Sequence, residues 1–275
     1  MKRLLLPVLI SALLMLACTL TPAPTAAPPT PRPAVTEPPV VTEEPVTSNV
    51  SCYELALYLD PSLAAEYECQ SVPESLSEVD RYPTHTELTL WGYPLTDKFF
   101  VPHISVYPVA AYTTLQPGVV SYTVTDLQAL VASGTVPLFT SSIGLGLPFL
   151  PPVNAAQLFY AQADVLPFAS GSGIRYLAEY AQYTAAVNNR DLFYTYQGLT
   201  GDGQYWVSVI LPITHPMLPD NSENPPGGLT WEEFSDNYGG YITDMVKQLN
   251  SQPDESYFPT LSLMDALVTS ITITP

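Results

Sequence analysis

Asn188 to Pro216 reads NNRDLFYTYQGLTGDGQYWVSVILPITHP. Two runs rich in β-branched and aromatic residues, 192–198 and 205–213, flank Gly201-Asp202-Gly203. Runs of that composition around a Gly-Asp-Gly turn predict a β-hairpin, the strongest such signal in the chain. An even-length loop makes paired residue numbers sum to an odd value, so the two faces follow even where the register is open. One face carries Leu192, Tyr194, Tyr196, Val207, Val209 and Leu211 and is expected to be core. The other carries Phe193, Thr195, Gln197, Trp206, Ser208 and Ile210, a mixed set expected to be only partly covered.

Outward from this hairpin the pattern alternates between strand and helix. Residues 155–168 and 174–184 read as two further long strands joined through Ser170-Gly171-Ser172-Gly173. Shorter strands are predicted over 53–59, where Leu55, Leu57 and Leu59 alternate, and over 86–93 and 103–109. Leu127, Leu130 and Val131 at helical spacing predict a helix over 125–133, stopped by Gly134. Thr230 and Glu233 form a capping box for a helix running to about Asn250, with Phe234, Tyr238, Tyr241, Met245 and Leu249 on its inner face. Thr260 caps a last helix with Leu263, Ala266, Leu267 and Ile271 inward. Strands followed by helices predict an α+β fold, an antiparallel sheet built from hairpins and covered by helices.

The N-terminal fifty residues have another character. Lys2 and Arg3 precede the uncharged apolar stretch 4–17, which spans about 21 Å as a helix, short of a hydrocarbon core of roughly 30 Å. That fits a secretory signal better than a permanent span. It ends Met15-Leu16-Ala17-Cys18, which resembles the lipobox of bacterial lipoproteins, with Met15 where Leu is commonest in that family. The resemblance implies cleavage before Cys18, lipid on Cys18, and a lipid-anchored, extracytoplasmic place in a bacterial cell envelope. Residues 18–50 are rich in Pro and Thr and predict an extended spacer, competing with a proline-motif ligand or a glycosylated stalk. The three parts expected are thus a lipoprotein signal over 1–17, a spacer over 18–50 and one exported domain over 51–275.

Cys52 and Cys69 are the cysteines that remain after Cys18. A pair in an exported chain is expected to be oxidised, and chain-entropy models give a loop of this size about 3 kcal/mol.

The stretch 147–216, with GIRYLAEYAQ and the hairpin quoted above, resembles uncharacterised exported lipoproteins of bacterial envelopes, a likeness that implies no activity. The hairpins and the helices that follow are also loosely similar in architecture to Mog1/PsbP-like α/β/α sandwiches, a likeness that carries over no functional residue.

Chemistry is sparsely marked. Eight Lys and Arg against 26 Asp and Glu leave a net charge of −18, which excludes a nucleic-acid binder that must displace counterions with clustered basic side chains. His85, His103 and His215 are isolated and lack zinc spacing. No nucleophile elbow or cofactor loop occurs; Gly144-Leu145-Gly146 lacks a third glycine and runs into Pro148, so no cofactor is expected. Asp220, Ser222 and Asn224 alternate like the start of a calcium loop, but Pro225 stands where glycine is required, which favours a solvated loop. If the first hairpin closes over Gly171-Ser172, Asp164 falls opposite Glu179, a pair able to share a proton or work as acid and base. The two charges also repel, which favours a solvated face, or an odd-length loop that separates them. The leading expectation is a non-catalytic envelope module that binds a protein or a glycan, with Trp206 and Phe193 among its candidate contact aromatics. The alternative is an envelope-polymer hydrolase using Asp164 and Glu179.

Overall fold

The computed structural model describes residues 47–78, 80–141 and 146–274. The signal stretch, Cys18, nearly all of the spacer and Gly144-Leu145 lie outside the described residues.

Strands β1 (Val50–Cys52) and β2 (Leu55–Leu57) form a tight hairpin around Tyr53, whose φ of 51° marks the turn. The strand expected over 53–59 is therefore shorter, although Leu55, Leu57 and Leu59 are all buried as their alternation requires. β3 (Glu66–Val72) follows, unannounced in the sequence because it is an edge strand with mostly exposed residues on both faces. After the small pair β4 (Ser75–Leu76) and β5 (Arg81–Tyr82) come β6 (His85–Trp91) and β7 (His103–Pro108). Two helices succeed them, α1 (Val109–Leu115) and α2 (Pro117–Ser133). α2 begins earlier than its apolar spacing suggested, because Pro117 occupies the first turn where a missing N–H costs nothing. It ends on Gly134 in the left-handed conformation.

β8 (Ala156–Phe168), β9 (Gly171–Ala181), β10 (Phe193–Thr200) and β11 (Tyr205–Pro212) complete a seven-stranded antiparallel sheet of order β3-β6-β7-β11-β10-β9-β8. The β10–β11 register pairs Tyr194 with Leu211 and Tyr196 with Val209, the parity expected of an even loop. The face expected to be core is buried throughout.

The opposite face corrects the expectation of partial cover. Phe193, Thr195, Gln197, Trp206, Ser208 and Ile210 are all buried, beneath α1, α2 and the 147–150 segment. Its polar residues satisfy one another. The Gln197 side-chain carbonyl accepts from Trp206 Nε1 at 2.8 Å and from the Leu150 N–H at 3.0 Å, while its amide donates to Thr195 Oγ1 and Ser208 Oγ at 2.9 Å each. A fully paired amide can be buried at little cost, so polarity along this face did not mean solvent.

The connection after β11 leads to α3 (Trp231–Asp236), α4 (Tyr238–Asn250), α5 (Leu261–Thr269) and β12 (Thr272–Ile273), which joins β2 to finish a three-stranded sheet with β1. The capping box is present: the Thr230 hydroxyl accepts from the Glu233 N–H, and the Glu233 carboxylate accepts from the Thr230 N–H. The single helix expected to Asn250 is broken at Asn237, ahead of the helix-weakening Gly239-Gly240. The break turns Ile242, Val246 and Leu249 into the core and leaves Tyr238, Tyr241 and Met245 half-buried. In α5 the buried set is Leu261, Met264, Leu267 and Val268, with Ala266 exposed. α4 and α5 pack on β8, so helices cover both faces of the large sheet.

The β8–β9 turn is Ala169-Ser170, with Phe168 opposite Gly171. Gly171 and Gly173 lie within β9, where a Cβ would collide with the backbone carbonyls of Leu199 and Gln197. β8 slips register twice, and at the second slip Gln162 takes a φ of 52°. That bulge is pinned from three sides: its N–H donates to Asn250 Oδ1 at 2.6 Å, its side chain to the Leu249 and Gln252 carbonyls, and its carbonyl accepts from Arg175 at 2.6 Å. The Cys52–Cys69 disulfide, with Cα atoms 5.6 Å apart, ties β1 of the small sheet to edge strand β3 of the large one. Disulfides belong to oxidising compartments, which fits an extracytoplasmic domain. Among the described residues no helix is long and apolar enough to cross a membrane.

Candidate ligand-binding cleft

The turn position decides the fate of the acidic pair. Closing over Ala169-Ser170, with the slips in β8, places Asp164 opposite Arg175 and Glu179 opposite Phe159. Four residues along β9 separate those two positions, about 13 Å. Asp164 is exposed, while Glu179 is buried at 1% exposure. They border different hollows, Asp164 one of about 270 Å³ shared with Arg175, and Glu179 one of about 650 Å³. The structure does not bring the two carboxylates together.

The larger hollow is a cleft at the end of the sheet. The last residues of β9, the β9–β10 connection, the segment leading into β8, and Phe99 ahead of β7 form its walls, and Asn221–Glu223 closes one side. The β9–β10 connection is held by two adjacent asparagines. Asn188 is fully buried; its side-chain carbonyl accepts from the Arg190 and Asp191 N–H groups, and its amide donates to Asp191 Oδ2 at 2.9 Å. Its own N–H donates to Glu179 Oε1 at 2.7 Å. Asn189 reaches the other way, donating to the Leu218 carbonyl and accepting from the His215 N–H. Together they lock the connection between β9 and the 215–219 segment and point Arg190 and Asp191 at the cleft.

Glu179 is the unusual group. Its Oε2 has no hydrogen-bond partner among the described residues. Burial, with the nearby Asp191 charge as a lesser cause, pushes its carboxyl well above the ordinary carboxylate range, against the opposing Asn188 hydrogen bond. Phe99 and Tyr183 stand at the cleft largely in solvent, 59% and 62% exposed. Trp206 and Phe193, proposed from the sequence as contact aromatics, are instead core residues. Comparison of the chain with family models, curated proteins and solved structures finds no match.

The other candidates stay dispersed. Asp220 and Asn224 are exposed and Ser222 half-buried in the loop after β11, and only Ser222 borders the cleft. Among the described residues no three His, Cys, Asp or Glu side chains are grouped to hold a metal ion. His85 is buried against Tyr82 and Tyr107, with Nδ1 2.9 Å from the Pro83 carbonyl, and burial lowers its pKa. His103 Nδ1 lies 2.8 Å from the Val101 carbonyl. His215 Nε2 lies 2.9 Å from Ser256 Oγ, but the Met217 N–H donates to Nδ1 at 3.2 Å. The ring proton then sits on Nε2, so this imidazole cannot accept a proton from Ser256 as a triad base would.

Phe99, Arg190 and Asp191 were missed as cleft residues. The available signal was Asn188-Asn189-Arg190-Asp191, a polar run interrupting two strands that are otherwise buried.

Proposed function

We propose that this chain is a lipid-anchored, non-catalytic binding module of a bacterial envelope, carried on Cys18 and held away from the membrane by its Pro/Thr-rich spacer. The observation that carries the reading is the 650 Å³ cleft, whose lining includes the exposed rings of Phe99 and Tyr183 together with the polar Asn154, Gln182, Arg190 and Asp191. Clefts of this size that combine apolar walls with a few convergent polar groups serve as ligand sites. The Cys52–Cys69 disulfide supports an oxidising compartment, and the lipobox-like Met15-Leu16-Ala17-Cys18 supports the anchor. The hydrolase alternative draws no support from Asp164 and Glu179, which face different hollows.

The test uses lipid-free Cys18→Ser protein as bait in envelope extract, with calcium and with chelator, beside the same protein carrying Ala155→Trp to fill the cleft. A protein or glycan retained by the first bait and lost by the second supports the module. Equal retention by both baits, or wild-type membrane partitioning of Cys18→Ser, counts against it.

A further inference from the structure

We propose that the outer edge of β3 receives an extended, lysine- or arginine-bearing segment of a partner protein as an added antiparallel strand. This surface is apart from the cleft, to whose described lining β3 contributes no residue. The hydrogen-bond parity of the sheet places unpaired backbone on that edge. The Leu90 N–H of β6 donates to the Pro102 carbonyl at 3.0 Å, so Leu90 turns its main chain toward β7. The alternate residues His85, Glu87, Thr89 and Trp91 then turn theirs toward β3, where their register partners are Val72, Gln70, Glu68 and Glu66. Tyr67, Cys69 and Ser71 are left with N–H and C=O groups directed away from the sheet. Among the described residues no hydrogen bond engages those groups. A row of open donors and acceptors is what an added strand pairs with.

The two edges of the large sheet are not alike. β8 slips register twice, carries Pro167, and has its bulged Gln162 N–H taken by Asn250 of α4. Bulges, proline and cover by other elements are the means by which folds close an edge. β3 has none of them: it pairs with β6 at seven consecutive positions without a slip and contains no proline. The Cys52–Cys69 disulfide holds it in place, so adding a strand costs little further ordering. Charge then selects the occupant. Glu66 and Glu68 are exposed on one face of β3, and residues 47–91 hold eight Asp and Glu against a single Lys or Arg, Arg81. In antiparallel addition the positions opposite Glu66 and Glu68 are non-hydrogen-bonded ones, where side chains across the ladder lie closest. Two basic residues spaced i, i+2 on the incoming segment meet both carboxylates, while the residue between them exchanges backbone hydrogen bonds with Tyr67. A second copy of this chain lacks that complement, since its β3 holds no Lys or Arg and it brings a further charge of −18.

Titration of lipid-free Cys18→Ser protein with the capped peptide Thr-Val-Lys-Val-Lys-Val-Thr tests this, followed by calorimetry and by amide hydrogen exchange. The expected result is binding that slows exchange at the Tyr67, Cys69 and Ser71 amides. N-methylation of the valine between the lysines should weaken binding about tenfold, because that amide faces β3. N-methylation of either lysine should leave binding within about twofold, because those amides face solvent. Glu66→Lys combined with Glu68→Lys should weaken the lysine peptide severalfold and admit the same peptide with Glu in place of both lysines. The N-methyl series leaves the β3 edge unaltered, so a folding defect in the double variant does not remove the test. No binding, or an equal response to both kinds of N-methylation, overturns the proposal. Equal binding of the lysine and glutamate peptides by the unaltered edge also overturns it. So does concentration-dependent self-association that protects the same three amides, which would make a second copy the occupant.

Discussion

Glu179 carries the most testable chemistry in the chain. Its ordinary value is 4.5, and burial raises it in the folded state. The native protein then holds a proton that the unfolded chain gives up, so this group's contribution is fully present below 4.5 and lost as the pH climbs toward the raised value. Glu179→Gln removes that dependence. Urea unfolding at about pH 4 and about pH 8 should show the variant gaining on wild type at the higher pH. Glu179→Ala instead strips the Asn188 N–H of its acceptor and should cost about 1–3 kcal/mol at either pH. Asp60, Asp202 and Glu233 have the opposite sign, since hydrogen bonds hold each carboxylate below its ordinary value. Their contributions are present above those values and fade as the pH falls. Gly173 offers a steric test at the same scale. It pairs with Gly198, the Tyr196 ring lies over both, and the Tyr196 hydroxyl donates to the Leu166 carbonyl at 3.0 Å. Gly173→Val drives a side chain into the Gln197 carbonyl and that ring, and should cost about 1–3 kcal/mol in a denaturation melt.

At the scale of elements, the short-range signals carried well. The Thr230–Glu233 box, the Thr260 cap on the Leu263 N–H, and the parity of the Gly201 to Gly203 loop all appear as local chemistry required. Thr230→Ala should lower stability by about 1 kcal/mol, read as a lower melting temperature with the fold's circular dichroism intact. What failed was tertiary override. Asn237 splits the helix and rotates its inner face, and Tyr238 and Tyr241 use their hydroxyls on Ala185 O and Val187 N instead of burying fully. β3 was invisible because an edge strand facing water carries no apolar alternation. The Gly171-Ser172 turn was misplaced because those residues suit a turn and a crowded strand equally, and only the neighbouring β10 backbone chooses between them.

At the largest scale, the described residues form a large sheet covered on both faces, with a small sheet fastened at one side. Arg175 spans layers, reaching the Gln162 carbonyl in the β8 bulge and Asp265 of α5 at 3.5 Å, while the Tyr194 hydroxyl donates to the same Asp265 at 2.8 Å. The disulfide fastens the small sheet to β3, which among the described residues has only β6 as a neighbour in the large sheet. Cys52→Ser should therefore lower stability by about 3 kcal/mol, measured by chemical denaturation, and expose the β3 edge to limited proteolysis first.

Several properties of this protein follow from order along the chain alone. The acidic balance, the Cys52–Cys69 pairing, the α+β class and the core face of the β10–β11 hairpin each rest on composition, on the two cysteines that remain beside Cys18, or on periodicity over a few residues. The cleft has a different origin. Glu179, Asp191 and Phe99 come from separate elements, and Asn188 orients two of them through bonds that no spacing rule contains. Whether a carboxyl is charged or neutral depends on what covers it, and whether Gln197 faces solvent depends on whether Trp206, Thr195 and Ser208 complete its hydrogen bonds. Those are properties of neighbours in space, so tertiary structure alone decided them.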